Sequence, residues 1–114
     1  MNAGEKLKNL EKRLEWDKSF SDLLHSLTNT HKLNLILIGD LNCAHKSIDV
    51  KNPSTKLKSP GYSIEERNSF NKLLERLDLV DSFRYLHPNL IKYSYFSYRN
   101  NARKNHSGWR LDYI

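Results

Sequence analysis

Asp40 and Asn42 stand two residues apart, directly after a run of branched apolar residues that Gly39 ends. A buried strand ending there would put a carboxylate and an amide at the rim of a sheet, where ligands of α/β folds commonly bind. Hydrolysis of a phosphodiester needs charge stabilisation on the phosphoryl oxygens, an oriented water and a proton for the leaving oxygen. A hard divalent cation such as Mg²⁺ is held by few carboxylates and keeps several waters, so one aspartate beside one amide suits it. The competing reading is a plain turn, since Asx side chains often cap their own backbone after a strand.

The surrounding elements are those of an α/β layered chain. Residues 5–28 read as one amphipathic helix, with Leu7, Leu10, Leu14, Leu23, Leu24 and Leu27 at helical spacing and Trp16 and Phe20 in the same stripe. Lys6, Lys8, Glu11, Lys12 and Arg13 then form its solvated face. Leu33–Ile38 has the near-continuous apolar character of a strand buried on both sides. Residues 40–61 are polar, with Asn52-Pro53 and Pro60-Gly61, and read as a long loop. Ser63 and Glu66 form a capping-box pattern ahead of a helix carrying Phe70, Leu73, Leu74 and Leu77 on one face. Short strands are expected at Leu79–Phe83, Tyr93–Tyr98 and Trp109–Ile114, with a basic loop over 99–108.

Strand periodicity puts Trp109 and Leu111 on one face of the last strand, and Arg110 and Asp112 on the other. Basic and aromatic residues gather at Tyr98, Arg99, Asn101, Arg103 and Lys104, and again at Lys51, Lys56 and Lys58. With 19 Lys and Arg against 13 Asp and Glu, the formal charge is +6, a surface that favours phosphates; the alternative is ordinary solvated loops. The five histidines have no metal-ligand spacing, which argues against zinc. The single cysteine, Cys43, excludes an internal disulfide framework and suits a small buried residue in a reducing compartment. No apolar run approaches the ~18 residues of a membrane span, and no secretory leader is visible.

Several segments together resemble the exonuclease III-like apurinic/apyrimidinic endonucleases. They are Asn2-Ala3-Gly4, Gly39-Asp40-Leu41-Asn42-Cys43-Ala44-His45, Ile48-Asp49-Val50-Lys51-Asn52-Pro53 and Pro60-Gly61-Tyr62-Ser63. Glu66-Arg67, Asp81-Ser82-Phe83-Arg84, Asn101-Ala102-Arg103 and Gly108-Trp109-Arg110-Leu111-Asp112-Tyr113 continue the pattern in order. The Gly-Asp-x-Asn segment is shared with a wider endonuclease, exonuclease and phosphatase superfamily, whereas the Asn-Pro loop and the Trp109–Tyr113 ending are more specific to enzymes of abasic DNA.

The resemblance implies part of a four-layered, deoxyribonuclease I-like α/β sandwich, and base-excision cleavage of double-stranded DNA 5′ to an abasic site. It implies Mg²⁺, or Mn²⁺ in its place, and a monomer in full-length form. Intracellular placement follows: nucleus or mitochondrion in a eukaryote, cytoplasm in a bacterium. By the same resemblance Asp40 orients or deprotonates the attacking water near the metal. Asn42 contacts the scissile phosphate or metal, and Asp112 holds and polarises a catalytic histidine. Asn2 contacts phosphate; Tyr95, Trp109 and Leu111 line a slot for the extruded sugar; Asn52, Lys56, Tyr98, Arg99, Asn101 and Arg103 contact DNA. For Asp112 the alternative is a structural salt bridge, and for Trp109 and Leu111 it is core packing.

There are departures. Tyr95 stands for a usual phenylalanine, Phe96 for a usual tryptophan, and Glu5 for an arginine of some relatives. The family's metal-binding glutamate, an upstream asparagine, a tyrosine before Asn2 and the catalytic histidine with its preceding aspartate have no counterparts. Residues 1–114 are therefore expected to be one partial domain, incomplete at both ends and inactive or nearly so alone. The other readings are a non-catalytic DNA-binding remnant and a superfamily endonuclease with a different substrate.

Overall fold

The computed structural model describes all 114 residues. Its helices are α1 (Leu10–His25), α2 (Ile64–Leu77) and α3 (Ser82–Leu86), and its strands are β1 (Gly39–Asp40), β2 (Tyr95–Phe96), β3 (Gly108–Trp109) and β4 (Asp112–Tyr113). β1 pairs antiparallel with β4, placing Gly39 opposite Tyr113 and Asp40 opposite Asp112. β2 pairs antiparallel with β3, Tyr95 opposite Trp109, while Val50 bridges Trp109 from another segment. Two apolar clusters hold these pieces. Leu41, Cys43, Phe70 and Tyr113 form one, with Phe20, Leu37 and Leu74 against it; Ala44, Val50, Tyr62 and Leu111 form the other, with Trp109 against it.

α2 starts where local chemistry dictates. The Ser63 hydroxyl accepts from the Glu66 amide at 3.3 Å and Glu66 Oε2 accepts from the Ser63 amide at 3.3 Å, which satisfies donors that a helix N-terminus leaves open. Phe70 and Leu73 are buried as expected, and Asp78, left-handed at φ 51°, ends the helix.

Elsewhere the expectations change. The helix expected over 5–28 is broken: Lys6 and Leu7 take positive φ inside a short turn, α1 runs only from Leu10 to His25, and a wider π turn follows over Ser26–Thr30. The Asn9 amide donates to the Ala3 carbonyl at 2.8 Å, so the chain folds back to bury Ala3 before the helix starts. Arg13 leaves the solvated face and is buried. Leu33–Ile38 is not a strand covered on both sides. Leu37 packs inward, but Ile36 and Ile38 are 78% and 68% exposed. Only β4 reaches this segment, and it pairs at Gly39–Asp40; burial on both faces requires neighbours on both sides. Leu79–Phe83 is not a strand, because Asp81 accepts from the Arg84 amide at 3.2 Å and starts α3. The strand expected over 93–98 is confined to β2, and that over 109–114 is split into β3 and β4.

Candidate active site

Asp40 and Asn42 make the turn that local chemistry predicts. The Asn42 amide donates to Asp40 Oδ1 at 2.7 Å, and Asn42 is left-handed at φ 51°, a conformation asparagine tolerates. The turn does not consume the site. Asp40 remains exposed and Asn42 half-buried. Behind them Gly61 approaches closely: at φ 87°, a β-carbon there would lie 3.2 Å from the Asn42 carbonyl, and the Gly61 carbonyl accepts from Ala44 at 2.7 Å. The buried Glu66 carboxylate holds that loop, its Oε2 accepting from the Gly61 amide at 2.9 Å and the Ser63 hydroxyl at 2.7 Å.

The register sets Asp112 against Asp40. The Leu41 amide donates to the Leu111 carbonyl at 2.9 Å, which makes Asp40 and Asp112 the close, non-hydrogen-bonded kind of antiparallel pair, with α-carbons about 4.5 Å apart in general. Both carboxylates are exposed on the same side of the sheet. Like charges directly opposite destabilise a strand pair, and a cation between them relieves that repulsion. No three His, Cys, Asp or Glu gather anywhere in the chain. The Asp40 carboxylate and the Asn42 amide are hard oxygen donors, which suit a cation such as Mg²⁺ that keeps much of its water, and not zinc.

Four more groups reach residues 108–112. The Ser94 hydroxyl accepts from the amides of Leu111 and Asp112 at 3.0 and 3.2 Å, which accounts for the break between β3 and β4. Tyr95 lies across from Trp109, and Lys56 Nζ stands 6.0 Å above the Trp109 ring. A β-carbon on Gly108 would meet Tyr93 at 2.5 Å, so only glycine permits that approach. Leu111 is a core residue beside Ala44, Val50 and Tyr62, leaving Tyr95 and Trp109 as the accessible part of the expected slot.

Asn2 is exposed, and its Oδ1 accepts from the Gly4 amide at 2.7 Å, which leaves its amide nitrogen available to donate. Asn52, left-handed at φ 53°, heads the turn Pro53–Thr55. Tyr98, Arg99, Asn101 and Arg103 sit on an exposed loop anchored by buried Ala102, with the Arg103 guanidinium 5.2 Å from the Phe96 ring. This loop is a separate basic patch between β2 and β3, while Asp40 and Asp112 lie on β1 and β4 and Asn42 in the turn that follows β1.

Sequence reasoning missed the machinery underneath. Asp49, fully buried, accepts from Arg84 Nη2 at 2.5 Å, Arg110 Nε at 2.8 Å and the Lys46 amide at 3.0 Å. Arg110 also donates to both Asp81 oxygens, at 3.1 and 2.5 Å. Burial alone would raise the Asp49 pKa, but the hydrogen bonds from Arg110, Lys46 and Arg84 outweigh it and hold it below the ordinary 3.8. For Arg110, burial disfavours the charge, and Asp49 with Asp81 more than restores it, so its pKa rises. The Arg110 amide donates to the Asp49 carbonyl at 2.8 Å and the Lys51 amide to Gly108 at 3.1 Å. The quartet therefore locks the Asn52 loop to the strand that leads to Asp112. A signal was present: Asp49 lies between Ile48 and Val50, and Arg110 between Trp109 and Leu111, charges set in apolar runs.

An exposed pair of opposed carboxylates with an adjacent amide, on an α/β scaffold, has the oxygen donors that metal-assisted phosphoester chemistry calls for. The match to known proteins agrees: residues 9–114 fit the endonuclease/exonuclease/phosphatase family, and the chain belongs to it. It is 45% identical over 99% of its length to a DNA-(apurinic or apyrimidinic site) endonuclease of Dictyostelium discoideum, covering 31% of that protein. It is 41% identical over 99% of its length to an exodeoxyribonuclease of Bacillus subtilis, covering 44% of it. The solved AP endonuclease of Leishmania major superposes with a TM-score of 0.91 at 34% identity, over 99% of this chain and 38% of that one. The α/β, deoxyribonuclease I-like fold expected from the sequence holds. The chain spans less than half the length of these relatives.

Proposed function

We propose that this chain carries part of the active site of a DNA-(apurinic or apyrimidinic site) endonuclease, which hydrolyses the phosphodiester 5′ to an abasic site in duplex DNA. Trimming of 3′ ends by the same site, and action as a monomer, belong to this reading. The observation that carries it is the opposition of Asp40 to Asp112 with Asn42 beside them. Asp40 and Asn42 would hold a divalent cation, Mg²⁺ or Mn²⁺, which when bound neutralises charge on the phosphoryl oxygens. The free oxygen of Asp40 orients the attacking water and takes its proton. The Asn42 side-chain amide donates to a phosphoryl oxygen, and Asp112 orients the group that exchanges the leaving proton. Asn2 donates to phosphate, and Asn52, Lys56, Arg99, Asn101 and Arg103 anchor the backbone. Tyr95 and Trp109, with Leu111 behind, form an apolar slot that takes a bare sugar turned out of the helix and excludes one bearing a base.

These 114 residues alone bind and do not cleave. None of the five histidines hydrogen-bonds Asp112, and the buried one, His45, pairs instead with Asn71. The test is binding and nicking of one labelled duplex carrying a tetrahydrofuran abasic analogue. We expect tighter binding than to the intact duplex, strengthened by Mg²⁺ in a way that Asp40→Asn removes, with no nicking above background. Equal binding of the two duplexes refutes the abasic-site reading, and robust nicking refutes inactivity of the isolated chain.

A further inference from the structure

The least expected side chain in α1 is Arg13. It is 3% exposed in a helix whose other charges, its partner Asp17 apart, are half-buried or exposed, and every arm of its guanidinium is used. Nε donates to Asp17 Oδ1 at 2.7 Å, one helical turn along. Nη2 donates to the Leu41 carbonyl at 2.7 Å, and Nη1 donates to the Met1 carbonyl. Leu41 is the residue between Asp40 and Asn42, and Met1 precedes Asn2. One planar fork thus joins the segment that carries Asn2 to the turn that carries Asn42. Leu41 lies 28 residues from Arg13 in sequence and Met1 lies 12. The arrangement uses what arginine alone offers, several donors fixed in one plane on a permanently charged group. Asp17, also largely buried at 14% exposure, supplies the counter-charge that makes the burial tolerable.

We propose that Arg13 is a positioning residue that sets Asn2 beside the Asp40–Asn42 turn, so that both amides face one phosphate. This rests on the reading of Asn2 as a phosphate contact. Asn2 has little else to hold it there. Its own Oδ1 is spent on Gly4, and the segment is tied to the body by buried Ala3, whose carbonyl accepts from the Asn9 amide, by the Gly4 carbonyl, which accepts from the Leu7 amide, and by the Arg13 bond at Met1.

A thermodynamic cycle separates positioning from a merely structural role, because independent sites add and coupled ones do not. The probe is the tetrahydrofuran-containing duplex, read by fluorescence anisotropy with the whole chain and the variants Asn2→Ala, Arg13→Met and the double. In the native background Asn2→Ala is expected to weaken binding about 10- to 100-fold, the worth of one hydrogen bond to a charged group. In the Arg13→Met background the same change is expected to cost less than about twofold, because Asn2 is no longer aimed. If Arg13→Met melts below the assay temperature, Arg13→Lys, which keeps the stem and the charge without the fork, carries the cycle by the same criterion. An Asn2→Ala effect of equal size in both backgrounds overturns the proposal while leaving the phosphate contact standing. No effect of Asn2→Ala in the native chain overturns that contact, and the proposal falls with it.

Discussion

Asp49→Ala removes the one carboxylate that both Arg84 and Arg110 share. Arg110 keeps its two bonds to Asp81, but Arg84, 7% exposed, is left with only the carbonyls of His87, Pro88 and Leu90. The guanidinium cannot shed its proton, so a buried charge stays without a counter-ion, at a cost of roughly 3–5 kcal/mol. The Lys46 amide loses its acceptor as well, adding about 1 kcal/mol. Against a total stability of about 5–15 kcal/mol for a domain, the loss moves a urea midpoint down by about 2–3 M at an m-value of roughly 2 kcal/mol/M. Asp22→Ala is the control. It breaks ion pairs to Lys18 and Arg76 that are exposed, and its midpoint should stay near that of the native chain. The pH dependence adds a second readout. The folded-state pKa of Asp49 lies below 3.8, so its stabilisation is complete above that value and is lost as pH falls through the folded value. Asp49→Ala should therefore flatten the stability profile below pH 3.8. A loss under about 1 kcal/mol, the range of surface pairs, together with an unchanged acid profile, refutes the claim that this network is desolvated and holds the Asn52 loop to the Asp112 strand.

His45 is buried, and burial lowers its pKa below 6.5 despite the opposing hydrogen bond to the Asn71 side-chain oxygen. The unfolded chain then takes up the proton more readily, so stability is full above about pH 6.5 and declines below it; urea midpoints at pH 7.5 and 5.5 should differ, and His45→Gln should narrow the gap. Burial pushes the Cys43 thiol up to about 12, so a disulfide reagent at pH 8 should label it only at the rate of unfolding, and fast labelling of the native chain contradicts its burial.

The parts legible in the sequence were those decided within a few residues. Ser63 and Glu66 form the start of α2 between themselves, and Asp40 and Asn42 form their turn between themselves, because capping and Asx bonds close over two or three positions. The family pattern placed Asp112 at the end of the chain, and the β1–β4 register brought it opposite Asp40. What the sequence did not disclose depends on groups far along the chain. Leu33–Ile38 has the composition of a covered strand, but a strand's covering is set by its neighbours, and Ile36 and Ile38 stay mostly exposed. Leu79–Phe83 is apolar enough for a strand, but the Asp81 cap and the Ser82 bonds to the Ile114 carbonyl, at 3.0 Å from its amide and 2.7 Å from its hydroxyl, turn it into α3. Arg13 reads as solvated until Met1 and Leu41 are seen to meet at it. Asp49 and Arg110, 61 residues apart, become a buried pair only when the fold closes. A side chain's chemistry is local, but whether its charge is desolvated and what then neutralises it are properties of the packed chain.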